Sequence, residues 1–219
     1  RKLQDMRNKH AITLEYMRMG ALKGLVVDGN GDTVLDIFTE FGVTEKSVNF
    51  ALTTDTTDVR GKCMEVSRHM EDNLKGEVMN GVHCLCSPEF FDSLTNHPKV
   101  IAAYANWSTN QMQRSDLRKG FEFGGIVFEE YRGVATDVAG SSQKFVPANE
   151  ARFFPLGTQN TFVNYFAPAD FMETVNTLGQ EMYAKQSPVK YNRGTEVHTQ
   201  MNPLPLVKRP ALLVKGTRT

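Results

Sequence analysis

Long apolar runs are missing from this chain. No stretch of its 219 residues approaches the ~20 consecutive apolar positions that a membrane-spanning helix needs. No basic start followed by an apolar core opens it, so a secretory leader is not expected. Cysteine is scarce: Cys63, Cys84 and Cys86 are all there is. An odd, sparse set does not make a disulfide framework and fits a reducing compartment, here expected to be cytoplasm. The sequon at Asn106 is accordingly read as unused. An excess of either charge is absent too, because 25 Lys and Arg balance 25 Asp and Glu. A dedicated nucleic-acid binder usually carries a basic domain or stripe, so this balance points away from one. Nucleophile and phosphate signatures are also missing: there is no GxSxG, no HExxH and no phosphate loop.

What is present is an ordinary globular composition, 40% apolar and 23% charged, in a chain long enough for a real core. Leu3, Met6, His10, Leu14, Met17 and Ala21 recur at steps of three and four, which predicts a long amphipathic helix loosened at Gly20 and ended at Gly24. Burying its large apolar residues would stabilise by roughly 1.5–3 kcal/mol each. Leu25–Val27 and Val34–Phe38 read as strands around Asp28-Gly29-Asn30-Gly31-Asp32. Thr56 or Thr57 is expected to cap a second helix with the stripe Val59, Cys63, Val66, Met70 and Leu74. The run 81–87 reads as a buried strand. Ser87 followed by Pro88 marks a helix start. Pro98 opens a further helix, with Val100, Ile101, Tyr104 and Trp107 on its apolar side. Residues 121–133 read as two strands interrupted at Gly124-Gly125, and 134–144 as a polar surface loop. The final run, 201–216, holds three prolines and is expected at a sheet edge or only partly paired. The mixed order of elements predicts an α+β protein.

Candidate chemistry is thin. Asp28, Asn30 and Asp32 alternate as in a calcium loop. Such a loop needs Gly at its sixth position and Glu at its twelfth, where this chain has Thr33 and Thr39. A hairpin is the better reading, with Asn30 or Gly31 left-handed. His83, Cys84 and Cys86 lie together, but on a strand the two thiols share a face while the imidazole points away, and no second cluster completes a zinc site. Glu129 and Glu130, as strand neighbours, point to opposite faces and make a poor acid–base pair. His10 reads as a packed or interfacial histidine. No catalytic, cofactor-binding or metal residue is therefore nominated.

Four phrases in the second half carry a family signature: residues 121–133, FEFGGIVFEEYRG; 145–158, FVPANEARFFPLGT; 165–186, YFAPADFMETVNTLGQEMYAKQ; and 201–214, MNPLPLVKRPALLV. With 24–43 and the long first helix, they resemble the major capsid protein E family of tailed phages and prophages, the lambda-type major head proteins. The resemblance covers nearly the whole chain. It implies the Hong Kong 97-like capsid fold, with a spine helix, a peripheral-domain sheet and an axial domain. The implied division is 1–52 peripheral, 53–170 axial and 171–219 peripheral again. The family's N-terminal arm and extended loop have no counterpart here, so the chain is expected to be an N-terminally truncated form. The implied function is a shell subunit, not an enzyme, self-assembling into pentamers and hexamers of an icosahedral head around double-stranded DNA. Scaffold, portal and decoration proteins are implied partners, the DNA is contacted non-specifically, and assembly takes place in the bacterial host cytoplasm. On polarity and fold position, the expected inter-subunit contacts are Arg132, Val134, Asp137, Ser141 and Lys144. The alternatives are a non-viral encapsulating subunit of the same fold, a small hydrolase using His83 or Glu130, and a metal-binding module.

Overall fold

The computed structural model describes residues 2–105, 117–136 and 140–219. Trp107 and most of the polar stretch after it lie outside the described residues. The chain opens with helix α1, Lys2–Lys23. Its expected stripe is buried only in the second half, at Leu14, Met17 and Ala21, while Met6 is half-buried and Leu3 is 44% exposed. Gly24 ends the helix at φ +83°. Strands β1, Leu25–Val27, and β2, Thr33–Asp36, form the expected antiparallel hairpin. The second strand is shorter than its β-branched run suggests. Asp36 accepts the Thr39 amide at 3.1 Å and starts a one-turn helix α2, Ile37–Glu40, which turns Ile37 into the core.

After β3, Lys46–Asn49, comes helix α3, Val59–Asn73. Its cap is Asp58, not Thr56 or Thr57: the carboxylate takes the Gly61 amide at 3.0 Å, while the Thr57 hydroxyl donates to Ala51. Val59, Cys63, Val66 and Met70 are fully buried as the periodicity requires. Strand β4, Gly81–Cys86, leads into α4, Pro88–Thr95, capped by Ser87 as expected, and then α5, Pro98–Ala105. Val100 of α5 is buried, but Ile101 is 52% exposed. Strands β5, Phe121–Phe123, and β6, Ile126–Glu130, close on a Gly124-Gly125 turn with φ +60° and +81°. Two left-handed residues are what the tight hairpin turn of this hand demands.

The segment read as a surface loop holds a two-stranded ribbon instead, β7, Val134–Thr136, paired with β8, Ser142–Lys144. Then come β9, Glu150–Leu156, β10, Phe162–Phe166, β11, Tyr183–Pro188, β12, Thr195–Gln200, β13, Pro203–Val207, and β14, Val214–Thr217. The main sheet has the order β3-β14-β9-β4-β6-β5. The end of the final run is thus an inner strand. Only its proline-bearing part, β13, sits in a two-stranded pair with β10. Pro155 is tolerated in β9 because β14 pairs only as far as Phe153, leaving the proline's other side without a ladder partner.

Helices α3, α4 and α5 cover one face of this sheet, and the second half of α1 the other. The first core joins Phe50, Phe90, Phe128 and Phe153 with the α3 stripe. Phe50 stacks on Phe153 at 5.4 Å and 5°. A side chain at Gly216 would come within 2.6 Å of the Phe153 ring, so glycine permits that stack. The second core sets Met17 and Ala21 of α1 against Val26, Ile37, Val207 and Leu213. Val48 and Val214, far apart in sequence, share the first core with the residues between them.

Candidate assembly surface

The β7–β8 ribbon grows from a fixed base. Phe145 and Val146 are buried beside Met19 of α1, and the Phe145 amide donates to the Gly133 carbonyl at 3.0 Å. Tyr131 lies against Phe145 with ring centroids 6.1 Å apart, and its hydroxyl donates to Glu15 of α1. Burial, then the Glu15 carboxylate, push the Tyr131 pKa up, so the phenol stays a donor. A side chain at Gly133 would come within 2.7 Å of both rings, so the strand can leave the core here only through glycine.

Of the five nominated residues, the structure brings Val134 and Lys144 together as direct cross-strand partners. Val134 is 50% exposed. Lys144 Nζ lies 3.5 Å from Glu89 Oε1, and Arg132 Nε lies 3.8 Å from Glu130 Oε1. Ser141 is exposed, immediately before the returning strand. Asp137 lies outside the described residues. Between this ribbon, α1 and the β1–β2 turn runs an open cleft of about 810 Å³, lined by Lys9, Ile12, Tyr16, Asp28, Ala135 and Gln143 among others.

The chemical alternatives find little support in the geometry. Asp28 spends its carboxylate on the turn itself, accepting the amides of Asn30 at 2.8 Å and Asp32 at 2.9 Å. Gly31, at φ +93°, supplies the left-handed residue. Cys84 and Cys86 face the core, and His83, on the opposite face, reaches Glu129 at 3.1 Å. Burial pushes the Cys63 thiol up to about 12 and the Cys84 thiol well above its ordinary value, so neither is a nucleophile. Glu130 turns toward Arg132 and not toward Glu129's partner His83. His10 of α1 shares a 3.0 Å hydrogen bond with Thr199 of β12. Among the described residues, no group of three or more His, Cys, Asp or Glu is placed to hold a metal.

Sequence reasoning missed a second projection. Among the described residues, strands β11 and β12 pair only with each other, and Tyr191 at their turn is 78% exposed, flanked by Lys190 and Arg193 over its ring. The positive φ of Tyr191 and Asn192 shapes that turn. Its strands are polar on both sides, so no alternation announces them.

A helix laid across a mixed sheet, with two-stranded ribbons standing off it, is an α+β arrangement whose structural match is the fold of phage capsid proteins. The backbone superposes on a crystal structure described as a capsid protein of an Escherichia coli CFT073 prophage with a TM-score of 0.58, at 14% identity, over 94% of this chain and 62% of that one. The chain belongs to the Phage major capsid protein E family, whose model matches residues 1–218. It is 38% identical to the major capsid protein of Pseudomonas phage KPP10, over 99% of this chain and 66% of that protein. It is 33% identical to the major capsid protein of Salmonella phage Felix O1, over 98% and 66% respectively. The chain thus spans about two thirds of the length of these relatives.

Proposed function

We propose that this chain is a major capsid protein whose copies form pentamers and hexamers and tile an icosahedral shell around double-stranded DNA. One observation carries the reading: the family match runs from residue 1 to 218, with two phage major capsid proteins at 33–38% identity across it. The work is mechanical, so catalysis is not part of it. A shell needs a rigid body that presents different surfaces to different neighbours, repeated in closed rings. The sheet and its helices supply the body, and the ribbons and open clefts supply the surfaces. In this reading α1 is the spine helix. The division into 1–52, 53–170 and 171–219 belongs to the same proposal, with β3 and β14 reaching from the outer segments into the sheet of the middle one. Arg132, Val134, Ser141 and Lys144, with Asp137, are the proposed capsomer contacts. Scaffold, portal and decoration proteins and non-specifically held DNA are the proposed partners, with the virion as destination and the host cytoplasm as the place of assembly.

Electron microscopy of the protein expressed from its complete reading frame tests this. Capsomer rings or closed shells are the expected result. A protein that stays monomeric at assembly concentrations overturns it.

A further inference from the structure

Two apolar features of the surface have no partner among the described residues of the subunit. The first is the loop from 167 to 182. Met172 is 87% exposed, Val175 62% and Leu178 92%, and no large apolar side chain among the described residues is more exposed than Leu178. This loop is nevertheless tied down. The Thr174 hydroxyl donates to Ala169 O at 2.5 Å, the Thr177 hydroxyl to Thr174 O at 2.8 Å, and the Gln180 amide to the Tyr183 hydroxyl at 2.8 Å. From the link between β12 and β13, Asn202 donates to Pro168 O at 2.8 Å. At Gly179 the loop returns so closely to β10 that a Cβ would lie 1.8 Å from the Phe166 carbonyl oxygen. Polar bonds fix the loop while its apolar side chains are held out in water, the reverse of what a monomer's stability asks.

The second feature is an apolar groove of about 310 Å³ between α1, β9 and the β10–β13 pair, lined by Leu22, Phe154, Leu156, Phe162, Val163 and Leu206. Its rim is exposed too, Leu156 to 43% and Phe162 to 38%. The charges around the two features are complementary. The loop carries Asp170, Glu173 and Glu181 and no Lys or Arg. The groove has exposed Arg18 on its lip, and exposed Lys208 directly follows its lining residue Val207.

We infer that the 167–182 loop of one subunit inserts Met172, Val175 and Leu178 into the Leu22–Phe154–Phe162–Leu206 groove of a second copy of this chain. The contact is heterologous, since loop and groove are different surfaces, and such contacts propagate into rings and sheets of subunits. Apolar burial supplies the attraction, and Arg18 and Lys208 facing Asp170 and Glu181 set the register. The inference rests on the capsid reading for the identity of the partner.

Three variants in the complete reading frame test it. Leu178→Glu places a charge on a side chain that touches water in the free subunit, so thermal unfolding is expected unchanged while assembled particles are lost in sedimentation and microscopy. Arg18→Glu is expected to weaken assembly, and adding Glu181→Arg to restore it. Paired Leu178→Cys and Leu156→Cys is expected to give a ladder of oxidised oligomers that neither single variant gives. Leu178→Glu particles at the unaltered yield, or assembled double-cysteine protein that runs as monomer after oxidation, overturn the contact while leaving the shell function in place. An unaltered protein that makes no rings overturns the shell reading. A ladder formed by the double-cysteine variant in that case still supports the contact between copies, and its absence overturns the contact as well.

Discussion

Arg152, in the middle of the sheet on β9, donates through Nη1 to Glu45 at 2.7 Å, reaching across to the residue just before β3. Its Nη2 meets Glu150 Oε2 at 2.6 Å, and Glu150 Oε1 meets Lys215 of β14 at 2.7 Å. The Arg152 side chain is only 7% exposed, so this chain of charges sits on the sheet face that α1 covers. Three strands far apart in sequence are joined there by four side chains. Replacing Arg152 with Met leaves two carboxylates facing each other, but both retain some access to water. The expected loss is about 2–3 kcal/mol, below the full cost of orphaning a buried charge. Burial pushes the Glu150 pKa up, but the bonds to Lys215 and Arg152 outweigh it and leave it below 4.5. A carboxylate with a depressed folded pKa stabilises above its unfolded value and stops doing so as pH falls through the folded one. Denaturant titrations should therefore show the difference between Arg152→Met and the unaltered chain shrinking from about pH 7 to about pH 3. A difference that stays constant over that range counts against the network.

Two glycines with similar backbone angles should respond differently to the same change. Gly24 has φ +83° and a hypothetical Cβ 2.1 Å from the Phe38 ring. Gly31 has φ +93° and nothing within 4 Å. Alanine at 31 meets backbone strain alone, on the order of 1–2 kcal/mol. Valine there should cost more, through β-branching, and asparagine less. Alanine at 24 adds displacement of Phe38, which packs against the second core. Melting temperatures should fall by about 2–4 °C per kcal/mol, in the order Gly31→Asn, Gly31→Ala, Gly24→Ala. Equal melting temperatures for the two alanine variants would remove the Phe38 contact from the explanation.

These local features were the legible part of the sequence. The α3 stripe, the Ser87-Pro88 start, the Gly124-Gly125 turn and the DGNGD hairpin are written in periodicity and turn chemistry, which act over a few residues. Helix α1 was legible as a helix but not in its burial, because Met6 and His10 follow the period of the stripe while only the later turns, from Leu14, reach the core. Asp36 outcompeted the strand propensity of Ile37 and Phe38 by capping, a signal present in the sequence but overlooked beside β-branched residues. The position of β14 was hidden for another reason. Prolines 203, 205 and 210 argue for an edge, yet all three precede Val214, and its pairing with β3 spans most of the chain. The surface ribbons were least legible. Strands exposed on both faces carry no alternation, so nominated contacts such as Arg132 and Lys144 rest on polarity and fold position.

The thiols offer a clean probe of that core. Burial, and Asp58 after it, push the Cys63 thiol up to about 12, so it stays protonated at mildly alkaline pH. Cys84 and Cys86 are fully buried on the face under α3 and α4. A thiol-reactive dye should label none of the three in the native chain at that pH, and all three together on unfolding in denaturant. Stoichiometric labelling before the unfolding transition would mean that the first core opens locally.

The ribbon contacts can be separated from folding by charge reversal. Arg132 is 72% exposed and its ion pair with Glu130 is long; Lys144 is 57% exposed with Glu89 at 3.5 Å. The exposed Lys144–Glu89 pair contributes about 0–1 kcal/mol, so Lys144→Glu should leave the melting temperature nearly unchanged, while Arg132→Glu sets a like charge near the Glu130 carboxylate, only 7% exposed, and should lower it modestly. At a capsomer centre the same residue returns once per subunit, and a reversed charge then meets its own copies or loses a complementary neighbour every time. Capsomer formation from the complete reading frame should drop sharply in the double variant at low salt. It should recover partly near 1 M salt, where charges are screened within about 3 Å. Phe153→Ala, which empties part of the core, should instead lose the fold at every salt concentration. If the double variant assembles like the unaltered protein while Phe153→Ala fails, the ribbon is not a capsomer contact, and the subunit-binding surface lies with the 167–182 loop or the β11–β12 turn.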